Sequence, residues 1–211
     1  GVHEMDMARW GLGIGLPTRV HSGGGHFMFD DDQQTPNTLV CIFEYPDKEK
    51  MLVFETRHWI TNQEGFGADP ASNAVGVTFY GSEGYMQVYY FGYRTYLGQK
   101  REPGPGREES SNEYERFIAA VRSRRQEDLD ADIYEGHRST TVTHLGNISY
   151  RMGKPASQAE VRERIAAAPL FAEMFDRLVE HLKAHEIDVD SPTITLGEWL
   201  DVDTENERFK N

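Results

Sequence analysis

Apolar positions along this chain change their period part-way. At the start, Val2, Met5, Ala8 and Trp10 give a stripe that predicts a short helix over 1–10, ended by the glycine-rich stretch from Gly11 to Pro17. Runs rich in β-branched and aromatic residues then predict strands over 18–29, 38–45 and 51–59. The short polar segment from Pro46 to Lys50 joins two of them as a hairpin, and Gly81-Ser-Glu83 marks another between strands over 74–80 and 84–90. From Gly98 the sequence Gln-Lys-Arg-Glu-Pro-Gly-Pro-Gly-Arg predicts a mobile loop.

Beyond that loop the spacing becomes helical. Tyr114, Phe117, Ile118 and Val121 predict a helix over 111–122, and a second is expected over 130–152, stopped by Gly153 and Pro155. Ser157 with Glu160 forms a capping-box signature for a third helix over 157–168, and a fourth follows over 169–185. Residues 193–202 return as a final strand.

A sheet over about 18–96 followed by helices over about 111–153 argues an α+β fold, a large, mostly antiparallel open sheet with helices packed on one face. Residues 1–155 read as the principal domain and 156–211 as a helical extension of it with a final strand. At 211 residues one domain is the natural expectation. A dinucleotide-binding unit needs strand, glycine-rich turn and helix in succession, and none is expected here. Gly11-Leu-Gly-Ile-Gly15 follows a helix and leads into a proline and a strand, so it does not qualify.

Composition narrows the partners. A formal charge of −13 would repel phosphate backbones, which argues against nucleic acid. No apolar run has the length of a membrane span. The chain begins at Gly1, so a targeting segment could stand upstream and localisation is unreadable from this end. Cys41, the single cysteine, sits in an apolar run and reads as a buried, inert thiol.

Metal binding is not expected. His181 and His185 have i, i+4 spacing, yet they lack the intervening glutamate of a zinc protease and sit on a helix read as otherwise solvated. His21 and His26 are the other close pair, and the Asp30–Asp32 run lacks the alternating ligands of a calcium loop. Gly23-Gly-Gly25 reads as a bulge or bend before it reads as an anion cradle. His3 stands apart, because an imidazole at the start of a helix can exchange a proton near neutral pH.

At Gly1-Val-His-Glu-Met-Asp6 the chain resembles the family named for glucose-fructose oxidoreductase, inositol dehydrogenase and the MocA protein. Further stretches look like a bacterial subgroup of it: Asp31-Asp-Gln-Gln-Thr-Pro36, Phe54-Glu-Thr-Arg-His-Trp59, His144-Leu-Gly-Asn-Ile-Ser-Tyr-Arg151 and Leu196-Gly-Glu-Trp-Leu200. The family's catalytic stretch reads Asp-x-Gly-x-His, matched here at Gly1 and His3. The resemblance implies an N-terminal Rossmann domain that binds NAD or NADP and lies outside this chain, together with the catalytic Asp and a lysine in a Glu-Lys-Pro motif. It also implies a sugar, polyol or glycoside substrate, His3 as acid/base, and a homodimer or tetramer assembled through the sheet. The chain alone would be inactive, and either the bacterial cytoplasm or export would suit it.

For the substrate wall, Arg57 and Trp59 share a strand face with Glu55 by period-two spacing, and could donate to hydroxyls and stack on a sugar ring. On the second long helix, Gly136, Thr140, Thr143 and Asn147 form a stripe of small residues suited to close approach, with His137 and His144 nearby. His137, His144 and Asn147 are therefore further substrate candidates. A packed aromatic under a guanidinium explains Arg57 and Trp59 equally well, and buried backbone groups could account for His144 and Asn147. The alternative for the whole chain is a non-catalytic sugar-binding or assembly module with the same fold.

Overall fold

The computed structural model describes residues 1–59, 75–89, 92–108 and 112–210. In chain order the first elements are α1 (Val2–Leu12), β1 (Arg19–Gly25), β2 (Thr38–Tyr45), β3 (Lys50–Thr56), β4 (Val77–Gly81), β5 (Gly84–Tyr89), β6 (Gly92–Leu97) and β7 (Glu102–Glu108). They are followed by α2 (Glu113–Ser123), α3 (Ile133–Met152), β8 (Lys154–Ala156), α4 (Gln158–Ile165), α5 (Pro169–Ala184), β9 (Ile194–Leu196), β10 (Leu200–Asp203) and β11 (Arg208–Phe209). The fold is α+β, and every strand pair among the described residues is antiparallel.

The chain divides into two compact units, one of Gly1, Ile14–Asn62 and Thr141–Asn211, the other of Val2–Gly13 and Gln63–Thr140.

The first unit is built on a sheet ordered β11-β10-β1-β2-β3, to which β9 and β8 add beside β1. Its centre is β2, whose apolar run Leu39–Phe43 is buried at every position. Val40 and Ile42 join the core cluster with Val161, Ile165, Phe171, Phe175 and Leu178 of α4 and α5. Cys41 points to α3, where a Cβ added to Gly146 would come within 2.8 Å of its sulfur. Burial on both faces is why the run does not alternate.

Two readings of this unit need correction. α5 is a core helix, because Phe171, Met174, Phe175, Leu178, Val179, His181 and Leu182 are all buried. His181 thus lies inside the protein and not on a solvated helix. Gly23-Gly-Gly25 forms no bulge; it pairs in register with Val40, Leu39 and Thr38. At Gly24 the backbones approach so closely that any Cβ would strike the Thr38 carbonyl oxygen and lie 2.7 Å from the Leu39 Cα.

The capping box on α4 forms as its sequence predicts, with Ser157 and Glu160 bonding to each other's backbone. The strand expected over 193–202 is two short pieces. Gly197 interrupts it, its N–H donating to the Ser22 carbonyl at 2.9 Å, and the Glu198 N–H donates to the Ser149 carbonyl at 3.1 Å.

The second unit holds a four-stranded sheet in the order β4-β5-β6-β7. Here the predicted loop after Gly98 is largely a strand. β7 carries Pro103 and Pro105 and survives because it is at the sheet edge, where a missing N–H leaves no neighbour unsatisfied. Tyr80, Tyr85 and Tyr96 stand opposite one another on one face, with ring centroids 5.9 and 4.8 Å apart. On the other face Phe79 packs on α1, where a Cβ at Gly11 would run into the Phe79 ring. α1 runs through Gly11 to Leu12, burying Met5, Ala8 and Arg9 and leaving Trp10 84% exposed. Asn112 caps α2, accepting from the Glu115 N–H at 3.2 Å. Among the described residues no helix is long and apolar enough to cross a membrane.

Candidate functional site

His3 occupies the first turn of α1 and is exposed to solvent. The helix beneath it is fixed by a buried polar network that sequence reading missed. Arg9, only 3% exposed, donates to the Ser139 hydroxyl at 2.6 Å and to the Glu135 carboxylate at 3.0 Å, both on α3. Ser139 in turn donates to Asp6 at 2.5 Å, one turn along α1 from His3. A guanidinium taken out of water needs such partners, and here they tie α1 to α3 through charge-assisted bonds. His3 is thus an exposed side chain on a helix held by buried hydrogen bonds.

On α3, His137 is exposed within the second unit and stacks on Tyr134 at a centroid distance of 6.3 Å. His144 is exposed and Asn147 half-buried in the stretch of α3 that belongs to the first unit. The small-residue stripe is not the close-packed face of this helix. A Cβ at Gly136 would meet nothing within 4 Å, whereas Val142, Leu145, Gly146 and Ser149 form the buried side. Close approach occurs at Gly146, one position off the expected stripe.

Arg57 and Trp59 lie just beyond the end of β3, in the first unit. Arg57 donates to Glu55 at 2.9 Å, and Arg177 of α5 approaches the other oxygen of the same carboxylate at 3.4 Å. Trp59 packs among rings: its centroid is 5.0 Å from His58, 5.1 Å from His185, 6.0 Å from Phe29 and 6.1 Å from His181. Burial pushes the His181 pKa down to about 4, and the Arg57 cation and His185 act in the same direction against the Glu55 carboxylate. This imidazole is neutral at physiological pH. The cluster is a wall of donors, acceptors and ring faces, with Arg57 engaged by a carboxylate and Trp59 partly covered by α5.

His21 has a different part. Its ring lies flat on Trp199 at 4.0 Å, touches Phe171 at 4.5 Å, and places Nε2 2.9 Å from the Gly197 carbonyl. Burial lowers its pKa to about 4, opposed by the Gly197 carbonyl and reinforced by Arg19, whose guanidinium caps Trp199 at 4.1 Å. It holds β1 to the Gly197–Trp199 corner. His26 faces Asp31 at 3.2 Å. Among the described residues no group of three or more His, Cys, Asp or Glu side chains could hold a metal ion. The Cys41 thiol is fully buried, and desolvation raises its pKa far beyond the range in which a thiolate forms.

No protein-family model matches this chain, and no curated protein matches its sequence. Among solved structures it is similar to one described as a "putative oxidoreductase" from Klebsiella pneumoniae, at 12% identity and a TM-score of 0.46, covering 70% of this chain and 45% of that one. It is also similar to one described in the same words from Bacteroides fragilis, at 10% identity and a TM-score of 0.43, covering 72% of this chain and 47% of that one. This chain therefore spans less than half the length of either.

Proposed function

We propose that this chain is the substrate-binding and assembly half of an NAD(P)-dependent oxidoreductase acting on a hydroxyl or keto group of a sugar, polyol or glycoside. The observation that carries the reading is His3, exposed on the first turn of a helix that a buried arginine network holds still. In that role His3 takes the proton from the substrate hydroxyl as the carbon is oxidised, and returns it in the reverse direction. His137, in the same unit as His3, supplies a hydrogen bond to a further hydroxyl, and Arg57, Trp59, His144 and Asn147 are the candidates for substrate contacts in the first unit.

The nicotinamide, when bound, accepts or supplies the hydride. This chain does not fit it: its described strands pair only antiparallel, with no strand, glycine turn and helix unit to receive a pyrophosphate. A preceding Rossmann domain would hold it. Assembly into a dimer or tetramer would use the tyrosine-bearing face of the four-stranded sheet.

The test is a panel of sugars and polyols assayed for NAD(P) reduction with the full-length protein, followed by His3→Asn. The reading expects turnover of one class of substrate and a loss in kcat of about 10²–10⁴-fold on substitution, with KM changed far less. A non-catalytic sugar-binding or assembly module is the second reading, favoured by the internal engagement of Arg57 with Glu55. Sugar binding without turnover, unaltered by His3→Asn, would establish it.

A further inference from the structure

Just past the end of β3, one indole is surrounded by imidazoles. The ladder between β2 and β3 stops at the pair Leu39 and Thr56, so Arg57, His58 and Trp59 run on beyond it. Trp59 packs against the core cluster of the first unit. His58, His181 and His185 stand around its ring at centroid distances of 5.0, 6.1 and 5.1 Å. All of these residues belong to that one unit.

The charges about this cluster are unequal. Glu55 is the anion that acts on His181, and its carboxylate is shared by Arg57 at 2.9 Å and Arg177 at 3.4 Å. The loop that brings Phe29 to Trp59 adds His26 and Asp31, which face each other at 3.2 Å. Glu180 and Lys183, elsewhere on this stretch of α5, are exposed to solvent and opposite in sign. Two guanidiniums against one carboxylate leave an excess of one positive charge, and protonating His58, His181 and His185 raises it to four. An imidazolium donates at both ring nitrogens. The His185 Nε2 is buried and, among the described residues, has no hydrogen-bond acceptor, while His181 is 1% exposed. A cation kept there is cut off from water, and turning the indole away lets water in.

We propose that Trp59 is a proton-released latch, docked on α5 while the surrounding imidazoles are neutral and turned out from it when they gain charge in mild acid. Burial holds the His181 pKa near 4, against 6.5 for the free side chain. The docked state therefore binds fewer protons than the open one, so docking is at full strength above pH 6.5 and weakens as the pH falls toward 4. If opening restores the free value, His181 alone weakens docking about thirtyfold by pH 5. Attraction between a cation and the indole face works the other way, by only about two- to fivefold. The latch is a property of this chain and does not rest on the redox reading. Where that reading holds, acid also withdraws Trp59 from the substrate wall.

Fluorine NMR of the whole chain labelled with 5-fluorotryptophan tests it, with Trp10, Trp59 and Trp199 assigned by Trp→Phe variants and far-UV circular dichroism recorded at each pH. Trp10, 84% exposed, supplies the solvent reference. On acidification from about pH 8, the Trp59 resonance is expected to move toward that of Trp10, with a midpoint between about 4 and 6.5 and no loss of far-UV ellipticity. His181→Leu, which keeps an apolar side chain under the indole and cannot take a proton, should lower the midpoint by at least about one pH unit. His185→Gln, at a half-buried position, should shift it in the same direction by less, and decides the matter should His181→Leu not fold. A Trp59 that stays docked down to about pH 4, that moves only together with loss of ellipticity, or whose midpoint is the same in these variants as in the wild type would each overturn the proposal.

Discussion

The two units solve the problem of apolar surface in opposite ways. In the first, β2 is covered on both faces and α5 turns seven side chains inward, so the apolar residues are spent on the unit's own core. In the second, α2 carries an equally regular stripe and leaves it exposed, and a row of tyrosines stands on a half-buried sheet. Amphipathic spacing records that a face is meant to be covered; it does not record by what. One unit buries its apolar stripe in its own core, and the other leaves part of its apolar surface exposed.

That contrast can be broken most directly at Phe175, which is fully buried on α5. Phe175→Ala should cost about 3–5 kcal/mol in urea denaturation, through lost burial plus the cavity left behind. A cost below about 1 kcal/mol would mean that the first unit is not the rigid core described.

Acid should weaken the same unit next. His21 has its pKa lowered to about 4 when folded, against 6.5 for the free side chain. Between those values the unfolded chain binds the extra proton, so the neutral ring's contribution is complete above pH 6.5 and declines as pH falls toward 4. His21 alone should account for about 2 kcal/mol by pH 5. Replacing it with Phe, which keeps the stack on Trp199 and Phe171, should flatten the slope of stability against pH over that interval. An unchanged slope would remove His21 from the account.

In the second unit, Arg9→Met should cost about 2 kcal/mol, the smaller end of the range for a broken charged network, because Asp6 and Glu135 are half exposed and regain water. In the full-length protein the same change should lower kcat in the redox assay without abolishing it. Smallest of all, Phe117→Ser should alter the stability of the monomer by no more than about 0.5 kcal/mol.

What the sequence disclosed follows the same division between pattern and partner. The unbroken run Leu39–Phe43, the capping box at Ser157 and the turns at Pro46 and Gly81 are local signals, and each produced the element it predicts. β7 was hidden because proline and glycine usually mark loops, and only its place at a sheet edge makes it tolerable. Arg9 looks like any surface arginine, since its partners lie more than 120 residues away at Glu135 and Ser139. The interior position of His181 was obscured by the polar residues around it, although Phe171, Met174, Phe175 and Leu178 on the same helix carried the inward stripe. Of the candidate site, the place of His3 at the start of a helix was legible from the spacing, whereas the engagement of Arg57 and Trp59 by Glu55 and α5 depends on distances that no spacing reveals.

The proline-bearing edge strand also bears on how large any assembly can grow. A sheet whose last strand offers a full ladder of N–H groups invites another strand, then another, without limit. β7 has two of its seven donors replaced by proline rings, at Pro103 and Pro105. Extension of this sheet from β7 along the hydrogen-bonding direction is therefore discouraged at the outset.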